Sequence, residues 1–262
     1  MTRVFFATVL AIGLALPAYA DVTIKQTTGG KGLGMSGNAA GTTYIKGNKM
    51  RADVVIGDRT QTSIFDVDAQ KMYVFDSKKK EADVWEMGAF AEELSKSVDT
   101  SSAKASLKPN GQTKPIGGQT ATGYDVEISV QAAMGGNKDM NTMVTLAGPV
   151  WIVKGAPGSK EYIDFYNAAV EKGFIFSDPR AAKAQPGQAK AMAQMYKQLA
   201  DAGGIAYETE MQIKMGGSGP MAGILARLGN VTITSQIESV AVGPLADDLF
   251  APPAGYKLNP RK

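Results

Sequence analysis

The chain has 262 residues, 28 of them basic and 25 acidic, with neither a cysteine nor a histidine. The missing Cys and His exclude disulfide frameworks, Ser-His-Asp and Cys-His nucleophile systems, and His-Glu zinc sites. A net charge of +3 is too small for a protein held to nucleic acid by phosphate neutralisation, so no nucleic-acid partner is expected.

The first element is a targeting segment. Thr2 and Arg3 lead into an apolar run over residues 4–16, followed by Pro17 and the small-residue exit Ala18-Tyr19-Ala20. This order predicts a secretory signal peptide cleaved after Ala20. The apolar run, about thirteen residues, is shorter than the ~20 that a membrane-spanning helix needs. No cysteine follows the cleavage site to carry a lipoprotein's acyl anchor. Cleavage removes only Arg3 from the charged residues, so residues 21–262 carry 27 basic and 25 acidic side chains, a net +2. The expected product is one soluble domain in the periplasm.

From residue 22 onward most of the chain reads with a period of two. A strand over 22–28 is followed by a meander over 41–87, with strands at 42–46, 49–56, 59–66, 71–76 and 82–87. Gly47-Asn48 and Gly57-Asp58 join the first three as hairpins, because glycine supplies the positive φ that a two-residue turn needs. Lys78-Lys79-Lys80 reads as a solvated hairpin tip, with an anionic-lipid patch as the alternative. A short helix over 88–96 carries Phe90 and Leu94. Residues 97–122, rich in Ser, Thr, Lys and Gly, read as the loosest connection, a seam between two strand groups that holds one strand at 103–109.

The strand over 123–130 places Tyr124, Val126, Ile128 and Val130 on one face and Asp125, Glu127 and Ser129 on the other. After a strand at 143–153, Ser159 is positioned to cap a helix with Tyr162, Phe165, Tyr166 and Ala169 in one stripe. A second helix follows Pro186, with Met192, Met195, Tyr196 and Leu199 at the same spacing. The strand over 205–215 alternates Tyr207, Met211 and Ile213 with charged residues. Then Gly216-Gly217-Ser218-Gly219-Pro220 opens a short apolar helix bearing Met221, Ile224, Leu225 and Leu228. Two readings stand for it: a movable lid over an apolar cavity, or a plug packed permanently into the core. A last strand spans 231–242. Ten or eleven strands are too many for a flat open sheet, so curling is expected.

The chain carries 13 methionines, with Met134, Met140 and Met143 in one cluster and Met192, Met195, Met211, Met215 and Met221 in another. Core filling, contact with a variable apolar ligand, and an all-thioether Cu(I) site are three accounts of them. An enzyme built on carboxylates would need two acids converging in a cleft, and the acids here fall mostly in turns and on polar strand faces. No enzyme activity, no cofactor and no metal site is therefore expected.

Several segments together resemble a known family. Tyr44-Ile45-Lys46, Lys49-Met50-Arg51, Ser63-Ile64-Phe65-Asp66 and Met72-Tyr73-Val74-Phe75 are similar in order and spacing to the start of the outer-membrane lipoprotein carrier superfamily, LolA and LolB. The run from Leu249 to Lys257 resembles the Phe-x-x-Pro-x-Gly close of those carriers. Lys114-Pro115-Ile116-Gly117-Gly118 and Val150-Trp151-Ile152-Val153 are more similar still to uncharacterised secreted domains related to that superfamily. The resemblance implies a curved, incompletely closed antiparallel half-barrel, mainly β, with a few helices on its concave side and an apolar cavity for an acyl chain. It also maps the carriers' lid-facing arginine onto Arg51. Alternation sets Arg51 with Lys49, Asp53 and Val55 opposite Met50, Ala52, Val54 and Ile56, which would turn it outward if the apolar face is concave.

The expected function is binding of an apolar ligand, the acyl chain of a lipid or lipoprotein. The candidate cavity residues are Tyr124, Val126, Ile128, Tyr207, Met211 and Ile213, with Met221, Ile224, Leu225 and Leu228 as the lid and Arg51 as the polar candidate. A protein-interaction module with a closed core, docking a periplasmic or outer-membrane protein, is the alternative. A methionine-based Cu(I) binder is a further one.

Overall fold

The computed structural model describes residues 21–32, 35–97, 103–133, 141–217 and 231–261. In the first part of the chain six strands follow one another: β1 (Val22–Gly32), β2 (Met35–Lys46), β3 (Lys49–Ile56), β4 (Arg59–Asp66), β5 (Lys71–Asp76) and β6 (Glu81–Glu86). Helix α1 (Met87–Ser97) then leads to β7 (Ala103–Ile116), β8 (Gln119–Ala133) and β9 (Asn141–Lys154). Three helices come next: α2 (Ser159–Glu171), α3 (Pro179–Ala184) and α4 (Pro186–Asp201). The chain finishes with β10 (Gly204–Gly217), β11 (Val231–Val242), a 3-10 turn (Asp247–Phe250) and β12 (Lys257–Arg261).

The twelve strands of the described residues lie in one open sheet, in the order β12-β6-β5-β4-β3-β2-β1-β11-β10-β9-β8-β7. The sheet is curved, mainly β in class, and does not close into a barrel. Two antiparallel meanders, β1–β6 and β7–β11, join where β1 pairs with β11 from Val22 opposite Val242 to Lys31 opposite Thr232. The last strand, β12, adds in parallel to β6 at one edge. Register shifts interrupt β1 at Lys25/Gln26, β7 at Pro109/Thr113 and β10 at Ala206/Glu208. Bulges of this kind bend a strand and raise its twist, which lets so wide a sheet curl.

The turns form as their residues dictate. Gly47 and Gly57 hold φ of 54° and 61° while Asn48 and Asp58 stay out of the left-handed region, as a type II′ hairpin requires. Residues 97–122, expected as the loosest connection, are instead largely strand. β7 runs to Ile116 and β8 starts at Gln119. β7 forms the sheet's second edge, and its polar composition reflects exposure there, not the absence of structure. This part of the chain does lead from one strand group to the other, passing from beside β6 to the opposite edge.

Helices cover the inner face of the sheet. On α2 the anticipated stripe of Tyr162, Phe165, Tyr166 and Ala169 is buried. Ser159 does not cap it: Gly158, at φ 74°, is the N-cap residue, and Ser159 is the first residue of the helix. A Cβ on Gly158 would also fall 2.5 Å from a methyl of Val22, so the tight approach of α2 to β1 depends on that glycine. On α4 the deepest residues include Ala189, Ala191 and Ala200 beside Met195, and these small side chains allow close seating on the sheet. Six-residue α3 is too short to reveal itself by periodicity, but Asp178 accepts from the Arg180 amide at 2.9 Å and Pro179 follows it, a start signal.

The core divides into three clusters. The largest joins Ile45, Met50, Phe65 and Met72 of the sheet to Phe165 and Tyr166 of α2. A second packs Tyr124, Val126, Ile128 and Ile152 beneath Ala191 and Met195 of α4. On the outer face, Ile64, Phe75 and Ala82 are covered by Phe250, with Leu249 and Tyr256 alongside, so the carboxy-terminal segment acts as a cover for β4–β6. No helix among the described residues is long and apolar enough to cross a membrane.

Three substitutions test this packing by urea denaturation. Phe165→Ala, at 0% exposure, should cost about 3–5 kcal/mol. Gly148→Ala would place a Cβ 1.9 Å from the Glu210 carbonyl oxygen of β10, and should cost at least about 2 kcal/mol. Gly30→Ala in β1, with nothing within 4 Å, should stay within about 1 kcal/mol of the parent.

Candidate functional site

The inner face of β1–β6 is organised in rows that run across the strands, and the registers define them. The innermost row is Val22, Ile45, Met50, Phe65, Met72 and Trp85, each opposite the next, and all are buried. Two residues along each strand lies a middle row of Ile24, Thr43, Ala52 and Ser63. Two further on is a rim row of Gln26, Gly41, Val54 and Gln61. Three of the four middle-row side chains are small. They leave a hollow above large neighbours, and a cavity of about 340 Å³ lies over it.

The opposite wall is aromatic. Tyr162 and Tyr166 reach it from α2, Tyr196 from α4, and Phe176 from the segment between α2 and α3. Tyr166 and Tyr196 stack with ring centroids 4.9 Å apart and planes 6° from parallel, while Phe176 packs at 4.8 Å and 4.7 Å from the two of them. Tyr162 lies 4.6 Å from Tyr166. Such ring pairs add about 0.5–1.5 kcal/mol each beyond area burial and hold the wall in one arrangement. Ile205 and Ala206, on either strand face in a regular ladder, both reach the cavity because β10 is bulged there.

Burial pushes the Tyr162, Tyr166 and Tyr196 hydroxyls above the ordinary tyrosine range, and neighbouring tyrosines add to the shift at Tyr162 and Tyr166. Among the described residues, Asp178 is the one carboxylate on the cavity wall. Burial opposes its charge, but hydrogen bonds from the Arg180 side chain and amide, and the guanidinium's charge, outweigh burial and hold its carboxyl below the usual range. The Arg180 Nε and Nη2 donors lie 3.0 Å and 2.6 Å from its two oxygens. Among the described residues no three His, Cys, Asp or Glu side chains gather as a metal site requires. The arrangement can take up apolar matter against its floor and orient a polar end at its rim.

The candidates from sequence fall in several places. Tyr124, Val126 and Ile128 come together as expected, but under α4 and away from the cavity. Met211 is half-buried against that same cluster, and Ile213 is half-buried further along β10 opposite Val231. Tyr207 is buried at the β10 bulge, where Gln119 Nε2 lies 3.5 Å from its hydroxyl. Arg51 sits on the outer face: its Nε donates to Asp53 at 2.9 Å and its Nη1 to the Leu249 carbonyl at 3.1 Å, clamping the carboxy-terminal cover. Met221, Ile224, Leu225 and Leu228 lie outside the described residues, as do residues 1–20. The residues that do line the hollow, Thr43, Ala52 and Ser63, carried a readable signal: small side chains at matching positions on strands whose turns set the register. Phe176, in an aperiodic segment, carried none, and Asp178 carried only the helix-start signal of Asp-Pro, which does not point to a cavity.

No protein-family model matches the chain, and no curated protein does. Among solved structures, PNGF-II is similar over 92% of this chain at 10% identity and a TM-score of 0.39, but the chain spans only 31% of its length. The Mycobacterium tuberculosis lipoprotein LppX is similar at 9% identity and a TM-score of 0.30, over 82% of this chain and 84% of that one. A Vibrio parahaemolyticus domain named for outer membrane lipoprotein sorting is similar at 8% identity and a TM-score of 0.30, over 89% and 90%. Likenesses at these scores carry no function with them.

The buried tyrosines give a pH signature. Their folded pKa values lie above the unfolded value of about 10, so their contribution to stability is complete below that pH. It is lost as pH rises beyond 10 toward the raised values. An ultraviolet titration of the folded protein should show Tyr162, Tyr166 and Tyr196 ionising at higher pH than they do in denaturant. Ionisation of every tyrosine together near 10 would show that the aromatic wall is wet.

Proposed function

We propose that this chain binds an apolar ligand, the acyl chain of a lipid or lipoprotein, in the cavity between the sheet and the aromatic wall, without chemistry. The observation that carries the reading is the hollow over Thr43, Ala52 and Ser63, floored by Met50, Phe65 and Met72 and bounded by Tyr162, Tyr166 and Tyr196. Its volume, about 340 Å³, is at the lower end of the roughly 300–1,000 Å³ of small-molecule sites. Each methylene moved from water contributes about 0.8 kcal/mol, so even six would contribute about 5 kcal/mol before ordering costs. That magnitude suits carriage, in which the ligand must also leave.

The amino-terminal segment supports export, cleavage after Ala20 and a periplasmic location for the site. There a soluble protein shields a passenger by its fold alone. The lining favours binding over catalysis, because its single carboxylate is already engaged by Arg180. A partner that delivers or receives the lipid, in the periplasm or at the outer membrane, fits the same role.

The test is titration with dansyl-labelled undecanoic acid, beside native mass spectrometry of protein purified from its own periplasm. Saturable uptake and a co-purifying lipid are expected. Ala52→Trp, which fills the hollow from the middle row, should weaken uptake at least about tenfold while the protein still unfolds cooperatively. Unchanged affinity in that variant, or no uptake by the parent, would overturn the reading.

A further inference from the structure

A second pocket, of about 240 Å³, adjoins the cavity. It lies over the continuation of the same rows: Ser63 of the middle row stands opposite Val74, which stands opposite Asp83, and Gln61 of the rim row stands opposite Asp76. Gln61 belongs to both linings, and the Asp178–Arg180 pair is the partition, with Asp178 on the cavity side and Arg180 on the other. Unlike the cavity, this pocket is charged. Lys79, Arg180 and Arg261 face Asp76, Glu81 and Asp83 across it.

Some of these groups are used up and others are not. Asp83 is gripped by Arg261 through Nε at 2.9 Å and Nη2 at 2.8 Å, with Arg180 Nη1 at 3.6 Å. Among the described residues, neither the Arg261 Nη1 donors nor the Lys79 ammonium meets a carboxylate. On the acidic side, Glu81 accepts the Asn259 amide, at 3.0 Å on Oε2, and its Oε1 has no partner among the described residues. Donors and an acceptor of opposite charge thus wait in one pocket whose fixed charges sum to zero.

We propose that this pocket receives the polar end of the cavity's ligand and that this end is zwitterionic: a phosphate-like anion joined to an ammonium, as in an ethanolamine phospholipid. The inference rests on the cavity reading above. An anionic headgroup alone gains little from a neutral pocket, because the carboxylates repel it as the cations attract it. A zwitterion meets Lys79 and Arg261 with its anion and Glu81 with its ammonium, so both ends find an opposite charge.

Displacement of dansyl-undecanoic acid by two lysolipids of equal chain length tests it on the full chain. Lysophosphatidylethanolamine should bind about tenfold more tightly than lysophosphatidylglycerol. Glu81→Lys, at an exposed position, removes the ammonium's partner and makes the pocket positive, so it should abolish or reverse that preference while dansyl-undecanoic acid is still taken up saturably. Equal displacement by the two lysolipids, or a preference that survives Glu81→Lys, overturns the headgroup assignment alone. Failure to take up dansyl-undecanoic acid at all sinks the cavity reading and this one with it.

Discussion

The register of the β1–β6 meander is the constraint on which the rest of the architecture depends. Two-residue turns at Gly47-Asn48 and Gly57-Asp58 hold Lys46 opposite Lys49 and Ile56 opposite Arg59, and everything along those strands follows in steps of two. Because side chains alternate between faces, a slip of one residue would carry Met50 and Phe65 to the outer face and bring Arg51 and Ile64 inside. The same steps set large, small and polar side chains in successive rows across the sheet. The hollow is therefore a property of several strands at once, and no single strand contains it.

Helix placement completes what the register begins. α4 rests mainly on β7, β8 and β10, and α2 mainly on β10 and β2, while over β3–β5 α2 reaches the sheet through large side chains such as Phe165 and Tyr166. Where α4 does sit down, its alanines close the gap over Tyr124, Val126 and Ile128 and the core is solid. Where the helices instead present tyrosine rings across a distance, space remains. The two halves of the sheet thus differ in use: one is packed, the other roofed.

Much of the fold was legible in the residues. The bounds of β3, β4 and β5, the stripe on α2 and the start of α4 at Pro186 follow from alternation, turn chemistry and helix spacing. The site was less so, for a physical reason. Periodicity tells which side chains share a face but not what lies over that face, and Tyr124 shares the inner face with Met50 while meeting a different neighbour. Arg51 was placed by alternation on the face opposite Met50, and the Leu249 carbonyl that it grips lies there. The first half of β7 was read as a strand at 103–109, but its polar continuation to Ile116 and the final strand β12 escaped because edge strands need no apolar face to persist.

The meeting of β1 with β11 has a consequence for how the chain reaches this state. Val22 and Val242 stand opposite each other at the centre of the sheet, yet they come from opposite ends of the folded sequence. The first meander can zip from hairpin to hairpin soon after it emerges, but its inner edge at β1 stays open until nearly all the remaining chain has arrived. Such distant pairing slows folding, because loop-closure entropy is lost before the contacts return it. During that wait β1 is an unpaired strand beside an uncovered apolar face, which is where another molecule's strand would add. A protein of this design therefore gains from being handled as an unfolded chain until its last strands are delivered.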